Sequence, residues 1–178
     1  MNSISAQLKS SIRTVPDFPK KGISFKDITP VFLDPVLNKA VVEELAEKVA
    51  ALKVDVIVGI DSRGFLIGNS LAIHLGLPFA LARKKGKLPY EVVTESYELE
   101  YGTDCLQLHT DAIKKGDRVL IHDDLLATGG TAACTARLIN QLGGKVVASS
   151  FIVELTFLKG RSKLDAQSGN IISLVTYD

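Results

Sequence analysis

From residue 34 to residue 52 apolar positions recur at helical spacing. Leu37, Val41, Leu45, Val49 and Leu52 fall on one stripe, while Glu43, Glu44, Glu47 and Lys48 mostly face away from it. Asp34 supplies a capping oxygen and Pro35 suits a first helical turn, so the stretch predicts a helix. The pattern then changes period. VDVIVGI at 54–60 is a short continuous apolar run, as expected of a strand buried on both faces. FLIGNSLAIHLG at 65–76 predicts a second helix stopped at Gly76, and LPFALAR at 77–83 predicts the next strand. Leu106 and Leu108 alternate with Cys105, Gln107 and His109, so residues of about 90–111 read as a hairpin or flap. DRVLIHD at 117–123, KVVASSFIVEL at 145–155 and NIISLVTYD at 170–178 are further strands, and GTAACTARLINQLGG at 130–144 is a helix with a glycine stop. Strands alternating with helices imply an α/β fold: a mainly parallel five-stranded sheet flanked by helices. Ligands of such folds sit beyond the C-terminal ends of the strands.

A chain of 178 residues favours a single domain, with 46% apolar and 23% charged positions. The net charge of +1 gives no reason to expect a nucleic-acid or membrane partner. No apolar run approaches the roughly 20 residues of a membrane span. MNSISAQLKSSIR at the start has no hydrophobic centre, so no signal peptide is expected. Cys105 and Cys134 are isolated and read as reduced thiols, which fits a cytoplasmic protein. Residues 16–35 hold four of the six prolines, with aromatic residues among charges, and predict irregular backbone.

The predicted strand ends carry the chemistry. Ala127, Thr128, Gly129, Gly130 and Thr131 lie between a strand and a helix. Small residues let backbone N–H groups converge there, the helix start adds about half a positive charge, and the threonines add hydroxyl donors. This is a cradle for a phosphate monoester. It lacks the lysine of a Walker loop and the glycine spacing of a dinucleotide fingerprint. A tight turn with no ligand gives the same pattern. Asp123 and Asp124 beside it change the balance, because adjacent carboxylates suit the vicinal hydroxyls of a ribose. His122 is expected to point away from Asp123 into packing. Arg63 in DSRG is the candidate for a forked contact with phosphate oxygens, joined by Arg83, Lys84, Lys85 and Lys87 of the basic loop.

At this point PDFPKKGISFKDITP, GIDSRGF, RKKGKLP, SYELEYGTD, DDLLATGGT and VELTFLKGR, in that order along most of the chain, resemble the type I phosphoribosyltransferases and, more narrowly, the adenine phosphoribosyltransferase family. The resemblance implies purine salvage. The phosphoribosyl group passes from phosphoribosyl pyrophosphate to adenine, giving AMP and pyrophosphate, with magnesium bound through the substrate and not by the protein alone. It implies a homodimer, in which part of the basic loop reaches the partner's site. It also implies a small N-terminal hood over residues 1–33, a core over 34–178 containing the flap, and a cis peptide between Asp61 and Ser62. Carried onto this sequence, Ala127 to Thr131 hold the 5-phosphate and Asp123 and Asp124 the ribose. Asp61, Ser62, Arg63, Arg83, Lys84 and Lys87 receive pyrophosphate. Ile23, Phe25, Lys26 and Leu155 surround adenine. Glu100, aided by Arg63 and Tyr101, is the catalytic candidate. The rivals are a phosphoribosyltransferase for guanine or xanthine, and a non-catalytic regulator that binds phosphoribosyl pyrophosphate. The short stretch before the first core helix leaves too little chain for a nucleic-acid-binding module of such a regulator.

Overall fold

The apolar run Val56–Ile60 is a strand buried at every position. Its side chains alternate between two cores. Ile57 joins a cluster with Leu45 and Leu71, while Val56, Val58 and Ile60 join one with Leu138 and Ile139. That is why the sequence shows no polar alternation here.

The computed structural model describes residues 3–98, 103–164 and 169–178. In chain order its elements are α1 (Ile4–Ser11), β1 (Arg13–Val15), β2 (Phe25–Asp27), α2 (Thr29–Leu33), α3 (Pro35–Val49), β3 (Val56–Ile60), α4 (Gly64–Leu75), β4 (Phe79–Lys84), β5 (Val92–Glu98), β6 (Thr103–His109), β7 (Arg118–Leu126), α5 (Gly130–Gln141), β8 (Lys145–Leu155) and β9 (Asn170–Tyr177). Strands β1 and β2 form a separate antiparallel ribbon. The remaining strands form a seven-stranded sheet in the order β5-β6-β4-β3-β7-β8-β9. Its parallel part, from β4 to β9, is the expected five-stranded sheet. The hairpin does not stand apart from it: β6 pairs antiparallel with β4 and β5 with β6, extending the sheet by two strands.

The predicted cap is in place, with the Asp34 carboxylate accepting from the N–H groups of Val36 and Leu37 at 2.9 and 3.0 Å. Helix α1 is an addition to the sequence reading. It hides in a polar segment because Leu8 is its only buried residue. Leu8 and Ile12 nonetheless join the core shared by α3 and α4. The stretch read as irregular also holds β2 and α2, and Val31 of α2 is fully buried. Among the described residues no helix is long and apolar enough to cross a membrane. Both cysteines are free.

Candidate active site

Strand β7 runs past the point at which the sequence suggests a loop. Leu125 and Leu126 stay paired with Val153 and Glu154 of β8, so Asp123 and Asp124 lie within the strand. Their side chains therefore leave on opposite faces. The acids are still tied together, since the Asp124 N–H donates to Asp123 Oδ1 at 2.9 Å. Asp124 is buried, and its Oδ2 accepts from Arg63 Nε at 2.6 Å. Burial and the neighbouring Asp124 charge push the Asp123 carboxyl well above the usual carboxylate range. Gly64 makes the Arg63–Asp124 meeting possible. A Cβ there would lie 2.8 Å from the His122 carbonyl oxygen and 3.0 Å from Asp123 Oδ1, so only glycine lets the start of α4 sit on β7.

His122 is fully buried and faces α4, as expected. Ser150 Oγ donates to the Ile121 carbonyl at 3.2 Å and lies 2.9 Å from His122 Nδ1. Nε2 has no partner among the described residues, and burial pushes the imidazole down to about 4. His122 is a packed neutral ring.

Beyond β7 the chain turns through Ala127, Thr128 and Gly129 into α5. Gly129 sits at φ +80° without a capping side chain, and a Cβ on it would lie 2.6 Å from the Gly160 carbonyl oxygen. The first intrahelical bond runs from Ala133 N–H to Gly129 O, at 3.0 Å, leaving the N–H groups of Gly130, Thr131 and Ala132 without helical partners. These residues line a cavity of about 580 Å³ with Tyr97, Glu98 and Lys163. It suits an anion with several acceptor oxygens.

A neighbouring cleft of about 320 Å³ is lined by Asp61, Ser62, Arg63, Lys84, Asp123 and Asp124. Leu125 borders both spaces. Each of three cations at this edge is already paired with a carboxylate: Arg63 with Asp124 at 2.6 Å, Arg83 with Asp61 at 3.1 Å, and Lys84 with Asp104 at 3.4 Å. Arg83 also reaches the Lys87 carbonyl oxygen at 3.4 Å, closing the basic loop. The Asp61–Ser62 peptide is cis. Asp104 accepts from the Cys105 N–H at 2.8 Å and from the Tyr97 hydroxyl at 3.1 Å. The Cys105 bond, with those from Tyr97 and Lys84 and the Lys84 charge, outweighs desolvation and holds Asp104 below the usual range.

On the opposite side Phe25 stacks edge-on against Phe18 at 5.2 Å, and the Arg63 guanidinium lies 5.7 Å from the Phe25 ring centre. Ile23 is exposed, and Leu155 is buried at the end of β8. The Lys26 side chain leads elsewhere: its Nζ donates to Thr14 Oγ1 at 2.8 Å and lies 4.3 Å from the centre of the Tyr177 ring. Thus the structure brings the turn, the acid pair, Arg63 and Phe25 to one end of the parallel sheet. Glu100 and Tyr101 lie outside the described residues.

Sequence reasoning passed over several residues here. Tyr97 and Asp104 stand inside SYELEYGTD but carried no assigned role there, and Lys163, in a mixed polar run, gave no signal. Glu154 is buried at the end of β8 and takes two bonds from Arg161, at 2.6 and 2.7 Å, and one from Ser173 Oγ at 2.6 Å. Burial alone would raise its carboxyl, but these partners hold it below the usual range. Its one legible sign was an acid inside an apolar strand. The pair anchors the turn that carries Gly160 beneath Gly129.

Among the described residues no group of three or more His, Cys, Asp or Glu could hold a metal ion. The carboxylates of Asp61, Asp123 and Asp124 are hard oxygen donors of the kind magnesium accepts alongside substrate phosphates.

Comparison with known proteins bears on this geometry. The phosphoribosyl transferase domain family matches residues 33–170. An adenine phosphoribosyltransferase of Cytophaga hutchinsonii is 52% identical over 170 residues, 96% of this chain and 94% of its own. The crystal structure of adenine phosphoribosyltransferase from Thermoanaerobacter pseudethanolicus is similar at TM-score 0.93 and 51% identity, covering 97% of this chain and 99% of that one. The Saccharomyces cerevisiae adenine phosphoribosyltransferase, complexed with adenine and an imino-altritol bisphosphate, is similar at TM-score 0.90 and 41% identity, over 96% and 98% of the two chains.

Proposed function

The chain belongs to the adenine phosphoribosyltransferase family, and from that premise we propose how its own residues divide the work. The reaction moves the 5-phosphoribosyl group from phosphoribosyl pyrophosphate to adenine, releasing pyrophosphate and forming AMP in purine salvage. The observation that carries the assignment is the meeting of a donor-rich turn, an acid pair and a cationic cleft at one end of the parallel sheet.

The 5-phosphate takes the N–H groups and hydroxyls of Ala127 to Thr131. Asp123 and Asp124 accept the ribose hydroxyls. As the bond from C1 to pyrophosphate breaks, positive charge develops on the sugar and negative charge on the leaving group. Arg63, Arg83, Lys84 and Lys87 receive that negative charge, with Asp61 and Ser62 shaping the loop. The carboxylates of Asp61, Asp123 and Asp124 would offer oxygens to a magnesium ion arriving with the substrate, and that ion would supply further positive charge to the phosphates. The base lies by Ile23 and Phe25, with backbone near Lys26 reading its edge and Leu155 closing the far side. Residues 1–33 serve as the hood that carries the contacts of Ile23, Phe25 and Lys26. Glu100, between β5 and β6 in sequence, manages the proton of the attacking ring nitrogen, and Tyr101 helps exclude water.

A homodimer is part of the proposal. Leu66 and Ile73, seven apart on α4, are exposed, as is Leu81 of β4, which gives a second copy an apolar face to cover. A cytoplasmic setting fits the two free thiols.

The test mixes the protein with magnesium, phosphoribosyl pyrophosphate and one purine at a time, and detects released pyrophosphate. Adenine should be the preferred base. Arg63→Ala should slow turnover by about 100-fold, the scale for removing one group that stabilises developing charge, and Lys85→Ala by no more than about twofold. Equal losses, or faster turnover with guanine or xanthine, would overturn the assignment.

A further inference from the structure

We propose that Lys163 supplies the positive charge for the 5-phosphate, a charge the turn at Ala127–Thr131 does not contain; this rests on the phosphate reading of that turn. A phosphate monoester carries about −1.5 to −2 charges at neutral pH. The start of α5 offers about half a positive charge and neutral donors. The only other charged residue lining the 580 Å³ cavity, among the described residues, is Glu98, which repels a phosphate. Lys163 lines that cavity from a short 3₁₀ turn, Gly160–Lys163, more than thirty residues beyond the phosphate turn.

Its backbone is fixed on both sides. Arg161 is held by buried Glu154, and Leu164 is 1% exposed. The same segment lies against the phosphate turn, because Gly160 packs on the Ala127 carbonyl and beneath Gly129. Arg137 is the other cation nearby, lining with Lys163 an adjoining cavity of about 520 Å³. It is committed elsewhere, donating to Glu95 Oε1 at 2.7 Å and to the Ser96 carbonyl at 3.0 Å, and so ties α5 to the hairpin. Lys163 makes no ion pair with any described residue. An ammonium on a flexible stem, anchored at its backbone, suits a point-charge contact with a phosphate that arrives and leaves. The active site thus assembles its phosphate cation from a distant segment.

The experiment compares AMP with adenosine, which lacks the phosphate, by calorimetric titration of the wild-type protein, Lys163→Met and Lys163→Arg at low salt. In Lys163→Met the AMP affinity should fall about tenfold, the scale of one charged hydrogen bond. Adenosine affinity should stay within about twofold, Lys163→Arg should recover most of the loss, and the salt dependence of AMP binding should flatten. An unchanged AMP affinity overturns the role of Lys163. A parallel fall for adenosine also overturns it, because the residue then acts only through structure. If the wild-type protein itself shows no preference for AMP over adenosine, the phosphate reading of the turn fails and the role of Lys163 with it.

Discussion

Asp124→Asn should loosen one ligand and tighten another. In the structure Arg63 Nε sits 2.6 Å from Asp124 Oδ2, with the Asp124 side chain 7% exposed and that of Arg63 44% exposed. In the proposed mechanism Arg63 must give up this partner before it can meet pyrophosphate. The carboxylate side of the pair is dry, but the guanidinium is half in water, and screening reduces the pair to about 1 kcal/mol. Asparagine keeps the shape and an accepting oxygen but removes the charge. Pyrophosphate with magnesium should then bind about fivefold tighter, helped further by the loss of a like charge at the cleft. AMP should bind about tenfold more weakly, because a charged acceptor for its ribose hydroxyls has become neutral. Titration calorimetry with each ligand reads both constants on one sample. Opposite signs cannot come from partial unfolding. A pyrophosphate affinity that is unchanged or falls with that of AMP would refute the exchange of Arg63 between the two partners.

Gly129→Ala forces a side chain onto a residue at φ +80° and against the Gly160 carbonyl; it should cost about 1–2 kcal/mol and weaken AMP binding by about tenfold, read by thermal melts and titration. Arg161→Met leaves the buried Glu154 carboxylate with Ser173 alone. The loss should be about 2 kcal/mol, a drop in Tm of about 4–8 °C. The pair holds the folded Glu154 carboxyl below its unfolded value, so its contribution is present above pH of about 4.5 and vanishes as pH falls through the folded pKa. The variant should therefore lose less stability on acidification than the parent. His122 works in a different window. It takes a proton near 6.5 when unfolded but only near about 4 when folded, so stability should fall by about 2 kcal/mol between pH of about 7 and about 5. Urea melts of His122→Gln should lack that slope, and an unchanged slope would show that the ring is not buried and neutral.

The core strands were legible because burial on both faces leaves an unmistakable apolar run, as at Val56–Ile60. The phosphate turn was legible because close backbone approach demands glycine at Gly129, where a Cβ would meet the Gly160 carbonyl. The predicted strand stops at Asp123, three residues short of the observed end at Leu126. Asp123 and Asp124 look like a loop, yet Leu125 and Leu126 keep β7 paired beyond them, and ladder pairing outweighs local polarity. Helix α1 was missed because one buried leucine leaves almost no periodic signal. The pairings Arg63–Asp124 and Lys84–Asp104 join residues that are far apart along the chain and meet only in the fold. Each cation is visible in the sequence, but its partner is not. Lys163 was invisible for the same reason: its importance comes from the cavity it borders, not from its neighbours in the chain.

The most direct test of the whole account is a high-resolution crystal structure with AMP bound. The account predicts phosphate oxygens within hydrogen-bonding distance of the Thr128–Thr131 N–H groups, ribose hydroxyls on Asp123 and Asp124, and Arg63 turned from Asp124 towards the cleft. A nucleotide seated elsewhere, with the turn and the acid pair untouched, would contradict it.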